Sequence, residues 1–189
     1  LWWARAHSVP ALGSLENAVL WPDFKAIWPS SAPGVTASPA GTVEPFTTMG
    51  PFWIPTINTA ILLTSGVTIT IAHHALKAGN RGILKIFLAL TFLLGFAFIG
   101  LQAEEYIHAY RDLNLKLGSG IYGSTFFMLT GFHGLHVIGG LVAFIFLLIR
   151  TRLSKFTPAQ ATAAIVVSYY WHFVDIVWIA LFAVIYFVR

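Results

Sequence analysis

Residues 121–149 read IYGSTFFMLTGFHGLHVIGGLVAFIFLLI, twenty-nine positions without a formal charge. A helix needs about 20 predominantly apolar residues to cross a bilayer core, so this stretch can span the membrane and must tilt or project beyond it. Three further runs share its character: 57–76 (twenty residues), 86–103 (eighteen) and 161–188 (twenty-eight, broken only by Asp175). The fold class that follows is all-α, a polytopic transmembrane helix bundle with four complete spans expected near residues 57 to 78, 82 to 108, 120 to 151 and 160 to 188. Composition agrees. Of 189 residues, 57% are hydrophobic and 10% charged, against roughly a quarter charged in a soluble domain, which excludes an ordinary water-soluble protein.

The loops give the orientation. Lys77, Arg81 and Lys85 lie between the first two runs, and Arg150, Arg152 and Lys155 between the last two, with no acid in either loop. The positive-inside rule places both on the cytoplasmic side. The opposite side receives the N-terminal segment and the mixed loop around Glu104, Glu105, Arg111, Asp112 and Lys116, so the bias alternates as four spans require. Residues 1–56 hold eight of the nine prolines and five of the seven tryptophans. That proline spacing leaves no helix of useful length, and indole rings favour the interface, so an irregular extracytoplasmic segment is expected. The chain opens on Leu1-Trp2-Trp3 with neither an initiator Met nor a basic-then-apolar leader, and is expected to be the C-terminal portion of a longer protein. Zero cysteines remove disulfides and thiolate metal sites. The net charge of +4 reflects orientation, and no basic, aromatic-interleaved patch for nucleic acid is present.

Polar residues inside apolar spans are costly, so they are the first candidates for function. The third run carries Thr130-Gly-Phe-His133-Gly-Leu-His136, and the fourth carries His172 and Asp175, each pair at i and i+3. His136 and Asp175 both fall near mid-bilayer and would meet if these consecutive helices are neighbours. Two alternatives stand at this point. His133, His136, His172 and Asp175 supply ligand types suited to a metal or haem; or they hydrogen-bond between helices and fix packing, which His and Asp in lipid require with or without a metal. Glu105, one turn inside the interface, is expected to face protein. His73 and His74, beside a basic loop, are expected to be solvated by headgroups. The run Gly118-Ser-Gly120-Ile-Tyr-Gly123 matches a dinucleotide fingerprint only literally: a span follows it and no strand precedes it, so it reads as a turn followed by close helix approach. No triad order or nucleophile elbow supports hydrolysis.

Five motifs in order then become recognisable: residues 58–76, NTAILLTSGVTITIAHHAL; Gln102-Ala-Glu-Glu-Tyr106; Tyr122-Gly-Ser-Thr-Phe-Phe127; Thr130-Gly-Phe-His-Gly-Leu-His-Val137; and Tyr170-Trp-His-Phe-Val-Asp-Ile-Val-Trp178. Together they strongly resemble subunit III of haem–copper cytochrome c oxidase, from Trp2 onward. Trp3-Ala-Arg-Ala-His7-Ser8 is similar to the outer end of that family's third helix. The family fold has seven transmembrane helices, so the resemblance implies that residues 1–56 are the end of one helix plus the Pro/Trp-rich extracytoplasmic segment, and that 57–189 form the four-span bundle. The family's first two helices and its third-helix carboxylate have no counterpart here. The long segment from Leu12 to Gly50 resembles bacterial members, which implies a bacterial inner membrane.

The resemblance implies an accessory subunit of an aa3-type proton-pumping oxidase, part of an enzyme complex without itself carrying the catalytic centre. The haems and copper would sit in the partner subunits I and II, and cytochrome c would be the electron donor to the complex. This chain would hold no redox cofactor, would pack on the catalytic subunit, bind phospholipid and support proton uptake. Glu105, His133, His136, His172 and Asp175 are then buried polar packing residues. Trp3, His7 and Arg150 are lipid-contact candidates, the guanidinium because it makes charge-assisted bonds to phosphate, and Trp3 and His7 as interfacial aromatic and polar tip. Alternatives are the equivalent subunit of a quinol oxidase, which shares the third- and fourth-run histidine motifs, a membrane haem or metal protein using His133, His136 and His172, and a transporter with Asp175 as carrier site. Tyr122-Gly-Ser-Thr-Phe-Phe127 and the His73-His74 pair favour the cytochrome c branch.

Overall fold

A computed structural model of the chain describes Leu15, Val19 and residues 47–119, 121–153 and 158–187. Four helices follow one another: α1 (Ile54–Lys77), α2 (Arg81–Arg111), α3 (Ile121–Leu153) and α4 (Pro158–Phe182), the last continued by a π-helical turn, Ala183–Phe187. All four are long and apolar enough to cross a membrane, and the described residues include no strand. The all-α integral membrane fold expected from run length is therefore the fold observed. Trp3 and His7, like most of the expected N-terminal segment, lie outside the described residues.

The boundaries have local causes. α1 begins three residues ahead of its uncharged run because Pro55 occupies the first turn, where a missing N–H costs nothing and the fixed φ suits a helix. It ends in a Schellman motif: Gly79 takes φ 72, its N–H donates to Leu76 O (3.1 Å), and Asn80 N–H donates to Ala75 O (2.9 Å). Asn80 also starts α2, its Oδ1 accepting from Ile83 N–H at 3.2 Å. One short polar turn thus closes one span and opens the next. The fourth span departs from a plain α-helix at its end. A wider π turn brings the adjacent Ile185 and Tyr186 both to the buried side, where 3.6-residue periodicity would send them in directions about 100° apart.

The chain divides into two compact units, residues 50–107 with 129–187 forming the larger. Its core includes Leu62 and Ile69 from α1, Leu88 and Phe98 from α2, Val137 and Phe144 from α3, and Trp171 and Trp178 from α4. α1 packs along α4. Trp171 is 0% exposed and its Nε1 donates to Ser65 Oγ at 2.9 Å. Its indole passes between two glycines: a Cβ on Gly95 of α2 would lie 2.7 Å from Cη2, and one on Gly140 of α3 would lie 2.7 Å from Cε3 and Cζ3. Small residues on two helices thus admit one large ring from a third, the usual way for membrane helices to pack closely.

The smaller unit contains, among the described residues, Leu15, Val19, 47–49, the last turn of α2 from His108, the connection to α3, and α3 as far as Met128. Leu115, Tyr122, Phe126 and Phe127 are buried in it, and the Tyr110 and Phe127 rings lie 5.1 Å apart. Leu115 N–H donates to Ala109 O at 2.9 Å, and Thr47 N–H to Leu113 O at 3.1 Å. Gly123, from the run that resembles a dinucleotide fingerprint, sits so close to the Lys116 carbonyl that a side chain would collide with it.

Candidate functional site

The larger unit is built around polar groups that cross from helix to helix. Along the α1/α4 contact, Trp178 Nε1 donates to Thr59 Oγ1 (3.0 Å), Trp171 Nε1 to Ser65 Oγ (2.9 Å), and Thr70 Oγ1 lies 3.3 Å from His172 Nε2. Between α1 and α2 the Thr68 and Thr91 hydroxyls are 2.8 Å apart. Asp175, 6% exposed, points into this seam. Its Oδ2 lies 3.7 Å from His172 Nδ1 and packs against Gly66, where any Cβ would overlap it. An aspartate can occupy this depth because α1 offers it a residue without a side chain.

A second polar cluster joins α2, α3 and the π turn. Gln102 Nε2 donates to Thr130 O (2.9 Å), the Tyr106 hydroxyl lies 2.6 Å from Thr130 Oγ1, and the Tyr186 hydroxyl donates to Glu105 Oε1. Glu105 is 2% exposed, so this carboxyl is solvated by protein and not by headgroups. His133, also buried, is held by rings: Phe98 meets it edge-on with centroids 5.7 Å apart, and Trp178 lies 4.9 Å away on a tilted plane. Beside it, a cleft of about 190 Å³ runs between α3 and α4, lined by Leu129, Phe132, His133 and His136 and by Phe173, Val174, Val177 and Leu181.

The expected site residues are thus distributed, not gathered. His172 and Asp175 come together; Glu105 meets Tyr186; His133 packs among aromatic rings. His136 does not reach Asp175. Its Nδ1 is 2.8 Å from Phe132 O on its own helix, and its backbone carbonyl accepts from the Tyr170 hydroxyl at 2.9 Å. The reason is rotational: Asp175 faces α1, whereas His136 is exposed on α3. Arg150 lies in the last turn of α3 and is exposed. Among the described residues no group of three or more His, Cys, Asp or Glu side chains is disposed to hold a metal ion.

Sequence reasoning passed over Thr59, Ser65, Gly66, Thr70 and Tyr186. Thr59, Ser65 and Thr70 also donate to carbonyls of their own helix, so each is satisfied locally and looks unremarkable in a span. The available signal was the density of hydroxyls in 58–70, unusual beside the other three runs.

A family model described as "Cytochrome c oxidase subunit III" matches residues 15–189. The chain is 57% identical over 131 residues to "Probable cytochrome c oxidase subunit 3" of Nocardia farcinica (strain IFM 10152), an alignment covering 69% of this chain and 64% of that protein. It is 50% identical over 131 residues to "Cytochrome c oxidase subunit 3" of Corynebacterium diphtheriae (69% and 63% covered). To the protein of the same name from Paracentrotus lividus it is 44% identical over 170 residues (89% and 62%). The chain spans a little under two thirds of the length of these relatives.

Proposed function

Because the chain belongs to the cytochrome c oxidase subunit III family, we propose that it is the accessory, non-redox subunit of an aa3-type proton-pumping cytochrome c oxidase in a bacterial inner membrane. It packs on the catalytic subunit, retains phospholipid and sustains proton uptake, while haems and copper reside in subunits I and II and reduce O2 with electrons from cytochrome c. The observation that carries the non-redox role is positive. His136 bonds its own helix and His172 meets Thr70, so two of the three candidate ligands are already engaged by protein groups, while His133 packs between Phe98 and Trp178. Trp3, His7 and Arg150 are assigned to lipid contact at the two membrane boundaries, where aromatic belts and guanidinium–phosphate bonds operate.

Affinity purification of the full-length protein from its native membrane tests this. Co-purified subunits should carry haem a and a dinuclear copper site, and the isolated chain should show no Soret band. A stoichiometric haem on the isolated chain would overturn the non-redox role. A complex lacking the dinuclear copper would move the assignment to a quinol oxidase.

A further inference from the structure

The hydrogen-bond pattern at Thr70 determines which nitrogen of His172 bears hydrogen. A hydroxyl has a single proton to donate, and Thr70 gives it to Gly66 O, 2.8 Å away within α1. The lone pairs of Thr70 Oγ1 are then what His172 Nε2 meets at 3.3 Å, and that contact is attractive only with hydrogen on Nε2. In a neutral ring Nδ1 is consequently bare, and Nδ1 is the atom that faces Asp175 Oδ2 at 3.7 Å.

An ionised Asp175 beside a neutral His172 would oppose two lone pairs and leave an uncompensated negative charge in the membrane interior. Among the described residues nothing disperses that charge: Asp175 Oδ1 is buried without a hydrogen-bond partner, and Oδ2 is closed off by Gly66. The other titratable groups on the two packed helices are His73, with His74 and Lys77 beyond it on α1, and on α4 Tyr169, whose ring centroid is 6.2 Å from that of His73, and Tyr170, whose hydroxyl donates to His136 O. The basic end of α1 disfavours an imidazolium standing alone and so reinforces the need for the Asp175 carboxylate beside it. One proton added to the pair removes both penalties, whether it resides on Nδ1 as an ion pair across 3.7 Å or on the carboxyl as a neutral pair.

We propose that His172 and Asp175 form a proton-binding site inside the membrane, holding one exchangeable proton, on Nδ1 or on the Asp175 carboxyl, so that the pair is net neutral. The site deepens the proton-uptake part of the reading above, because it names a place where this chain can store a proton on the α1/α4 face.

The test uses the purified complex with 15N-labelled histidine, compared by infrared difference spectroscopy between two pH values on either side of neutrality, together with Asp175→Asn and His172→Gln complexes. The wild type should give a protonation band of the His172/Asp175 pair that both variants lose completely. Asp175→Asn should still assemble, because its amide N–H can occupy the proton's place toward Nδ1. Spectra unchanged in both variants, or a wild type with an ionised Asp175 beside a neutral ring protonated at Nδ1 and bare at Nε2, would overturn the site. If neither variant assembles, the labelled wild-type ring signature decides alone. Cytochrome c turnover on the same samples separates the two readings: the band without any cytochrome c oxidation supports the site and counts against the oxidase assignment, whereas normal turnover without the band refutes the site only.

Discussion

Replacing Gly140 by alanine should drive a methyl group into the Trp171 indole. The added Cβ would stand 2.7 Å from both Cε3 and Cζ3, whereas carbon atoms pack best at about 3.5–4.0 Å, so the ring must retreat by roughly 0.8 Å or more. It has little room to do so. Trp171 is 0% exposed, Gly95 closes on the same six-membered ring, and Nε1 is tethered to Ser65 Oγ at 2.9 Å. Overpacking of this kind costs about 1–3 kcal/mol, and disturbing the indole hydrogen bond adds about 0.5–1.5 kcal/mol. Against this, alanine gains up to about 1 kcal/mol of helix propensity over glycine. A net destabilisation of about 0.5–3.5 kcal/mol is expected, a lowering of Tm by roughly 1–14 °C for a chain of this size. Thermal melts of the full-length protein in detergent, followed by tryptophan fluorescence, measure it. Gly100→Ala is the control, since nothing stands within 4 Å of a Cβ there, and it should melt at or slightly above the wild-type temperature. If Gly140→Ala melts with Gly100→Ala, the indole is not clamped as described.

Glu105→Ala should destabilise by about 1–3 kcal/mol by leaving the buried Tyr186 hydroxyl without its acceptor; Glu105→Gln, which can still accept, should recover most of the loss in the same melt, and equal damage from both would refute the pairing. Asp175→Leu should reduce the amount of assembled complex in membranes, because a branched apolar side chain cannot replace a carboxyl seated against Gly66; a fully assembled complex unable to transfer electrons would contradict this. Ala78→Cys, in the turn between α1 and α2, should resist an impermeant thiol reagent in intact cells and react once the membrane is opened, and ready labelling from outside would reverse the topology. Arg150→Ala and Trp3→Ala should lower the number of phospholipids retained in native mass spectra, and unchanged retention would remove both residues from lipid contact.

The helices were legible because run length and absence of charge are properties of contiguous sequence, and the alternation of basic loops is too. The pairing of His172 with Asp175 was legible for the same reason: i and i+3 lie on one helical face. What could not be read was which helix that face meets. Taking consecutive spans as neighbours directed Asp175 toward His136 on α3, whereas the carboxyl turns to Gly66 on α1, and the choice depends on where a glycine leaves room. Glu105 presented a related difficulty. Its burial could be anticipated from its depth, but its partner arrives on the far end of the chain through a π turn, a departure from 3.6-residue periodicity that no hydrophobic pattern announces. The hydroxyls of α1 stayed hidden because they satisfy themselves on their own helix while also reaching a neighbour.

The mutual fit of α1 and α4 has a bearing on how the chain is made. They are the two less apolar of the four spans, and they are separated in order of synthesis by α2 and α3, which are hydrophobic enough to enter lipid unaided. α4 brings an aspartate, worth about 2.5–3.5 kcal/mol against insertion at the centre of a helix. The hollow at Gly66 that receives it emerges from the ribosome well before it. The last span therefore enters the membrane at lower cost where α1 already stands beside it, because the hollow at Gly66 receives the carboxyl. A nascent chain stopped after α3 would leave the face of α1 that Trp171 and Trp178 cover turned toward lipid.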